Sequence, residues 1–165
     1  NKNYPRWRDT RKVQGFNFRM NELQGAVGLV QLKKLNKVVS FQKKFSDKLR
    51  KKLLNLPIEF RYISQNSVST EDSFVFVTKN KKIAMKCRNL LLKKNIGTKI
   101  LPEAITWHFA GDWEHMKDIQ SQRRSLEKSR KLLERCVSIP IFIKKGYKKV
   151  DEISKILKRE LLKNE

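Results

Sequence analysis

Apolar residues recur at helical spacing through Leu23, Val27, Val30, Leu35, Phe45, Leu49 and Leu53, which predicts one long helix from Asn21 to about Leu54, bent near residues 36–39. Asn21 suits its N-cap, and Gln24, three residues on, can return a hydrogen bond to the cap's own N–H. Gly25 and Gly28 inside a helix need a reason, since each costs about 1 kcal/mol against Ala. Together with Ala26 they make a shallow notch where another backbone can approach. Pro57 ends the helix. A short strand is expected over Ile58–Ile63 and a polar turn over Ser64–Thr70. Ser73-Phe74-Val75-Phe76-Val77-Thr78, aromatic and β-branched almost throughout, is the strongest strand. Lys81–Lys94 reads as an amphipathic helix, with Ile83, Cys87, Leu90 and Leu91 inward, stopped by Asn95-Ile96-Gly97. Thr98–Leu101 reads as another short strand before Pro102. Glu103–Met116 is an aromatic-bearing loop. A helix is expected from near Ser121 to about Cys136, carrying Leu126, Arg130, Leu133 and Val137. Ile139–Phe142 is extended, and Tyr147–Leu162 is a last helix with Val150, Ile153, Ile156, Leu157 and Leu161 inward.

That order predicts an α+β fold: a long N-terminal helix leading into a small domain, with a short, mostly antiparallel sheet and helices packed on one face. The expected divisions are 1–20 as a lead-in, 21–56 as the long helix and 57–165 as the small domain. The opening Asn1–Thr10, polar and without an initiating Met, reads as the continuation of a longer protein.

The chain has 165 residues and a formal charge of +23. Alone, that charge suggests nucleic acid or an anionic surface. The cations are spread along every expected helix, however, and lysine dominates, which favours a generally basic solvated surface. A basic nucleic-acid-binding module is the rival reading, supported by Arg6-Trp7-Arg8 and Arg123-Arg124. It lacks any helix-turn-helix, RRM, KH or zinc-finger signature, so no specific nucleic acid is expected. Cys87 and Cys136 are far apart, form no CxxC and fall on apolar faces, so buried free thiols and a reducing, cytoplasmic setting are expected. No transmembrane run or lipidation motif is present, and no membrane partner is expected.

Three stretches bear on chemistry. Gly15-Phe16-Asn17-Phe18-Arg19-Met20 places an amide and a guanidinium between aromatics, just ahead of a helix N-terminus, where an anion is favoured. Read alone, Asn17 and Arg19 are more simply a loop-to-cap hydrogen bond and a surface charge. His108 and His115 with Asp112 and Glu114 invite a metal, but their spacing fits no common zinc pattern. A structural loop or a substrate-facing loop accounts for them better, and no metal site is expected. Arg135-Cys136-Val137-Ser138-Ile139-Pro140-Ile141-Phe142 reads as a buried strand.

Gly15–Leu35 is also similar to the signature of the DegT/DnrJ/StrS-type sugar aminotransferases, which depend on pyridoxal 5'-phosphate (PLP). Arg135–Phe142 resembles that family's segment near the C-terminus, and the resemblance runs from Gly15 to the final helix. It implies the C-terminal part of an aspartate-aminotransferase-like PLP enzyme. By the resemblance, Asn17 reaches across a homodimer interface, formed along the first helix, to the neighbour's cofactor phosphate. Arg19 is a clamp for a substrate carboxylate, since guanidinium binds carboxylate in two-pronged fashion. His108 borders the sugar pocket. The whole enzyme is expected to move an amino group, with glutamate as expected donor, onto a keto-sugar, often nucleotide-linked. The family's Schiff-base lysine lies upstream of the Gly15 motif and has no counterpart here. The chain alone is therefore expected to be inactive, with no catalytic residue of its own and no cofactor retained. A dehydratase of the same family, with histidine in place of that lysine, is the sister reading. Gly25 stands where the family more often has Ala.

Overall fold

The computed structural model describes residues 19–99, 109–113 and 126–164. The chain divides into two compact units, Asn1–Leu35 and Asn36–Glu165. Helix α1 spans Glu22–Leu53, and its residues from Asn36 onward belong to the second unit.

The start of α1 is fixed by a reciprocal cap. The Asn21 N–H donates to Gln24 Oε1 (3.0 Å), and the Gln24 N–H donates to Asn21 Oδ1 (2.8 Å). Two of the donors that open every helix are thereby satisfied, which stabilises the end by about 1 kcal/mol. Met20 lies against the bare Gly25, its Sδ 3.8 Å from where a β-carbon would stand. A side chain at that helical position would ordinarily staple the residue before the cap.

The second unit is a three-stranded antiparallel sheet, ordered β1 (Ile58–Phe60), β2 (Ser73–Thr78), β3 (Cys136–Pro140). β2 is central, pairing Phe60↔Phe76 on one side and Phe74↔Ile139 and Phe76↔Val137 on the other. Phe74, Phe76, Val137 and Ile139 therefore share one face. Against them sit Phe45, Leu49 and Leu53 of α1 and Ala84, Cys87 and Leu91 of α2 (Lys81–Lys93). Val150, Ile153, Leu157 and Leu161 of α4 (Lys148–Leu161) complete this single core. The predicted α+β arrangement is the one found. The other sheet face is also buried at Ser73, Val77, Cys136 and Ser138, and the Cys136 thiol donates to Leu132 O of α3 (Glu127–Glu134).

Helix α2 is closed at both ends by local chemistry. Asn80 caps its start by accepting from the Ile83 N–H at 3.0 Å. At its end Asn95 takes the left-handed conformation (φ 55°), and the N–H groups of Asn95 and Ile96 donate to Leu92 O and Leu91 O. That is a Schellman stop, with buried Ile96 and Leu91 as its apolar contact. The left-handed residue is Asn95, not Gly97.

Three expected boundaries are corrected. The helix expected to reach Cys136 ends at Glu134, and Cys136 and Val137 belong to β3, because pairing with β2 satisfies their backbone and buries both side chains. The strand expected over Ile58–Ile63 stops at Phe60. Thr98–Lys99 is not a strand; its tie to β3 is the Lys99 N–H donating to Ser138 O at 2.9 Å, and residues 100–101 lie outside the described set.

Both cysteines are buried free thiols, though Cys136 lies on a strand where a helix face was expected. Burial, and secondarily the Glu160 carboxylate, pushes the Cys87 thiol up to about 12. Burial raises Cys136 as well. An unfolded thiol ionises near 9.0 while the folded Cys87 stays protonated, so this contribution to stability is full below pH 9 and is lost as the pH climbs toward 12. At pH 8, Ellman's reagent should label neither thiol within minutes and both in guanidinium chloride. Fast labelling of the native chain would contradict the burial.

Candidate functional site

Of the residues the sequence singles out, Arg19 is described and Asn17 and His108 lie outside the described residues. Arg19 is exposed and stands two residues ahead of the Asn21 cap. A guanidinium beside a helix N-terminus suits the anionic end of a ligand, whether phosphate or carboxylate. Because Asn21 and Gln24 cap each other, the start of the helix two residues after Arg19 is fixed by a local contact.

Beyond the cap, α1 is apolar on more than one side. Met20 and Leu23 are 73% and 74% exposed, and Val27, Leu29, Val30, Leu32 and Leu35 are exposed as well. Leu23, Val27 and Val30 form one stripe at helical spacing, while Leu29 and Leu32 fall away from it, on the side of Gly25 and Gly28. A β-carbon at Gly28 would meet nothing within 4 Å.

In the second unit, the residues that follow His108 are firmly held. Phe109 is buried and its ring lies over Gly111, so close that a β-carbon there would stand 2.5 Å from the ring. Only glycine permits that approach. A 3-10 turn, Ala110–Asp112, follows. The Asp112 carboxylate, itself nearly buried, faces Arg130 of α3 at 3.7 Å, and Arg130 also faces Glu134 at 3.6 Å. Asp112, considered as metal bait in the sequence, is thus engaged by a guanidinium. Among the described residues no three His, Cys, Asp or Glu side chains converge as a metal site.

Arg130 as the anchor of this loop was not foreseen. Its sequence signal, an Arg130–Glu134 pair one helical turn apart, is common on exposed helices and pointed nowhere. Of the residues assigned to ligands, Arg19 is exposed ahead of the helix, and Asn17, assigned to the cofactor phosphate, is not among the described residues. None of the described helices is long and apolar enough to cross a membrane.

Solved structures match this fold. A Streptococcus pneumoniae protein designated a sugar aminotransferase matches in its PMP form with a TM-score of 0.72 at 16% identity, over 87% of this chain and 36% of that one. Its PLP form gives 0.68 at 15% identity over the same shares. The E. coli GDP-4-keto-6-deoxy-D-mannose-3-dehydratase with bound hydrated PLP gives 0.65 at 18%, over 88% of this chain and 37% of that one. The chain thus spans little more than a third of the length of these structures, and at such identities the likeness speaks for the fold. The family itself is carried by sequence: the model of the DegT/DnrJ/EryC1/StrS aminotransferase family matches residues 2–158. With nearly its whole length inside that match, and the Asn21–Gln24 cap standing where the shared motif enters its helix, this chain belongs to the DegT/DnrJ/EryC1/StrS aminotransferase family.

Proposed function

We propose that these 165 residues are the C-terminal part of a PLP-dependent aminotransferase acting on a nucleotide-linked keto-sugar, with glutamate as amino donor. The observation that carries this reading is the family match over residues 2–158. In it, residues 1–20 lead in from a large domain, 21–56 form the interdomain helix and 57–165 form the small domain. The lysine that bonds the cofactor comes from chain upstream, so the 165 residues alone are inactive. Bound PLP supplies the electron sink that lets an amino group leave one carbon for another. This chain supplies binding and orientation. Asn17 donates an amide N–H to the phosphate of the partner subunit's cofactor, Arg19 holds the substrate carboxylate, and His108 borders the sugar. The apolar faces of α1 from Leu23 to Leu35 support a homodimer along this helix, with the large domain covering what the second copy leaves. The enzyme works in the cytoplasm.

The test uses the full-length polypeptide containing this chain. Desalted after incubation with PLP, it should keep the cofactor's absorbance and form 2-oxoglutarate from glutamate when given a keto-sugar nucleotide. Asn17→Ala should weaken cofactor retention about tenfold or more, on the order of one charge-assisted hydrogen bond. Retention equal to wild type would remove Asn17 from the phosphate site. A full-length protein that never holds PLP would remove the reading. A PLP-dependent sugar dehydratase is the second reading, favoured by the E. coli neighbour. Loss of a hydroxyl from the keto-sugar with no amino group gained by the sugar would establish it.

A further inference from the structure

Helix α3 runs into β3 beside the place where β2 gives way to α2, and backbone bonds hold the two junctions together. The Thr78 N–H donates to Arg135 O at 3.0 Å, the Thr78 hydroxyl donates to Asn80 O at 2.8 Å, and Val77 pairs with Cys136 across the sheet. Lys79 and Lys81 are thereby set against Lys131 and Arg135, residues far from them in sequence. An open hollow of about 590 Å³ lies there, lined by Lys79, Lys81, Lys128, Lys131 and Arg135, with Glu134 as its one carboxylate. Glu134 is already shared between Lys81 at 3.5 Å and Arg130 of its own helix at 3.6 Å. Lys79, Lys128, Lys131 and Arg135 pair with no carboxylate among the described residues. Lys131 stands one helical turn from both Lys128 and Arg135, a spacing at which like charges repel. The first turn of α2 carries no acidic residue, and Lys81 stands in it, where a helix disfavours a cation. The hollow thus gathers positive charge that the described residues leave unanswered.

We propose that this hollow, between the start of α2 and helix α3, binds a compact anion of two or more linked phosphate groups. Lys79, Lys128 and Lys131 act as point charges, and Arg135 supplies the two-pronged clamp. Two features favour a short phosphate chain over a nucleic-acid strand. The cations close around one concavity with the volume of a small-molecule site, whereas a strand needs a basic groove that tracks its backbone. And no aromatic ring is among the residues lining the hollow, so nothing there offers a base a surface to stack on. Free polyphosphate and the phosphate chain of a nucleotide share this chemistry, and the test separates them. The inference does not rest on the enzymatic reading.

The test is isothermal titration calorimetry at 0.15 M salt on the full-length polypeptide containing this chain, desalted after incubation with PLP so that any cofactor phosphate site is filled. Tripolyphosphate should bind at least tenfold more tightly than inorganic phosphate. ATP bound tenfold more tightly than tripolyphosphate marks a nucleotide as the source, and ATP bound equally or more weakly marks the free chain; either supports the site. Lys79→Gln/Lys131→Gln/Arg135→Gln should weaken tripolyphosphate binding on the order of thirtyfold, about threefold per exposed ion pair lost. Lys79→Gln/Lys131→Gln, which leaves the α3–β3 junction untouched, should weaken it about tenfold. Lys44→Gln/Lys94→Gln/Lys155→Gln removes equal charge from exposed lysines outside the hollow and should lose less than about threefold, because charges beyond roughly 8 Å are screened at that salt. Circular dichroism of each variant excludes unfolding. Equal losses for the two triple variants, tripolyphosphate bound no more tightly than phosphate, or single-stranded RNA bound more tightly than tripolyphosphate at equal phosphate concentration would each overturn the proposal.

Discussion

Phe74→Ala should lower the stability of the chain by about 3–5 kcal/mol, the range for removing a fully buried aromatic ring. Phe74 has no exposed surface and lies on the central strand, opposite Ile139. Its ring meets Phe60 edge-on at 5.9 Å and Phe76 at 6.2 Å, so the substitution opens a cavity and ends two ring contacts that span β1 and β2. Helices α1, α2 and α4 all reach this cluster, and no single element can move in to fill the space without leaving the others. A domain of this size is stable by about 5–15 kcal/mol, so the variant should lie near the threshold of folding. Urea denaturation is the measurement: the midpoint should fall with an unchanged slope. Leu23→Ala, on the exposed half of α1, should shift it by no more than about 0.5 kcal/mol in the same 165-residue chain. A Phe74→Ala loss below 1 kcal/mol would mean that the sheet and helices do not share one core.

The contrast between those two positions shows what the sequence could disclose. Leu23 and Leu49 carry the same helical period, and the pattern cannot say that Leu49 is buried in this unit while Leu23 is exposed. The parts that were legible depend on neighbours a few residues apart. The Asn21–Gln24 cap is an i, i+3 contact, and the Asn95 stop follows from a residue that tolerates the left-handed region. β2 was legible because a strand covered on both faces is apolar along nearly its whole length. The α3–β3 junction was not. Arg130, Leu133 and Val137 continue a helical spacing across Arg135, and no glycine marks the end. What ends the helix is the pairing of Val137 with Phe76, a partner 61 residues away in sequence. The candidate site divides similarly. Arg19's place before the cap could be read directly, whereas Arg130's hold on Asp112 depends on a fold that brings residues 18 positions apart together.

Glu71 is the extreme case of a residue that its sequence context leaves mute, and the second large effect is expected there. It sits in the left-handed region at φ 54°, is buried, and accepts a hydrogen bond from Ser46 Oγ of α1 at 2.8 Å. Its own N–H donates to Ser69 Oγ, and Arg61 approaches its other oxygen at 3.7 Å while donating to Ser69 Oγ at 2.7 Å. One residue later, Asp72 O accepts from the Ile141 N–H, so this corner ties the β1–β2 connection to α1 and to the end of β3. Arg61 is substantially exposed and its pairing adds little, which leaves the Ser46 bond as the chief stabilising contact. Glu71→Ala should cost about 2–4 kcal/mol, because it strands a buried hydroxyl and removes a charged acceptor, while the β-carbon in the left-handed region is the same in both residues. Glu71→Gly loses the same contact but relieves that conformation, by about 1 kcal/mol, so it should be the more stable of the two variants. That order is the reverse of glycine's usual effect. Ser46→Ala, and the double variant with Glu71→Ala, should show a coupling of about 1–2 kcal/mol in a double-mutant cycle read from urea midpoints. Additive losses, with glycine the worse replacement, would mean that the corner is held by its backbone bonds and that the Glu71 carboxylate is incidental to them.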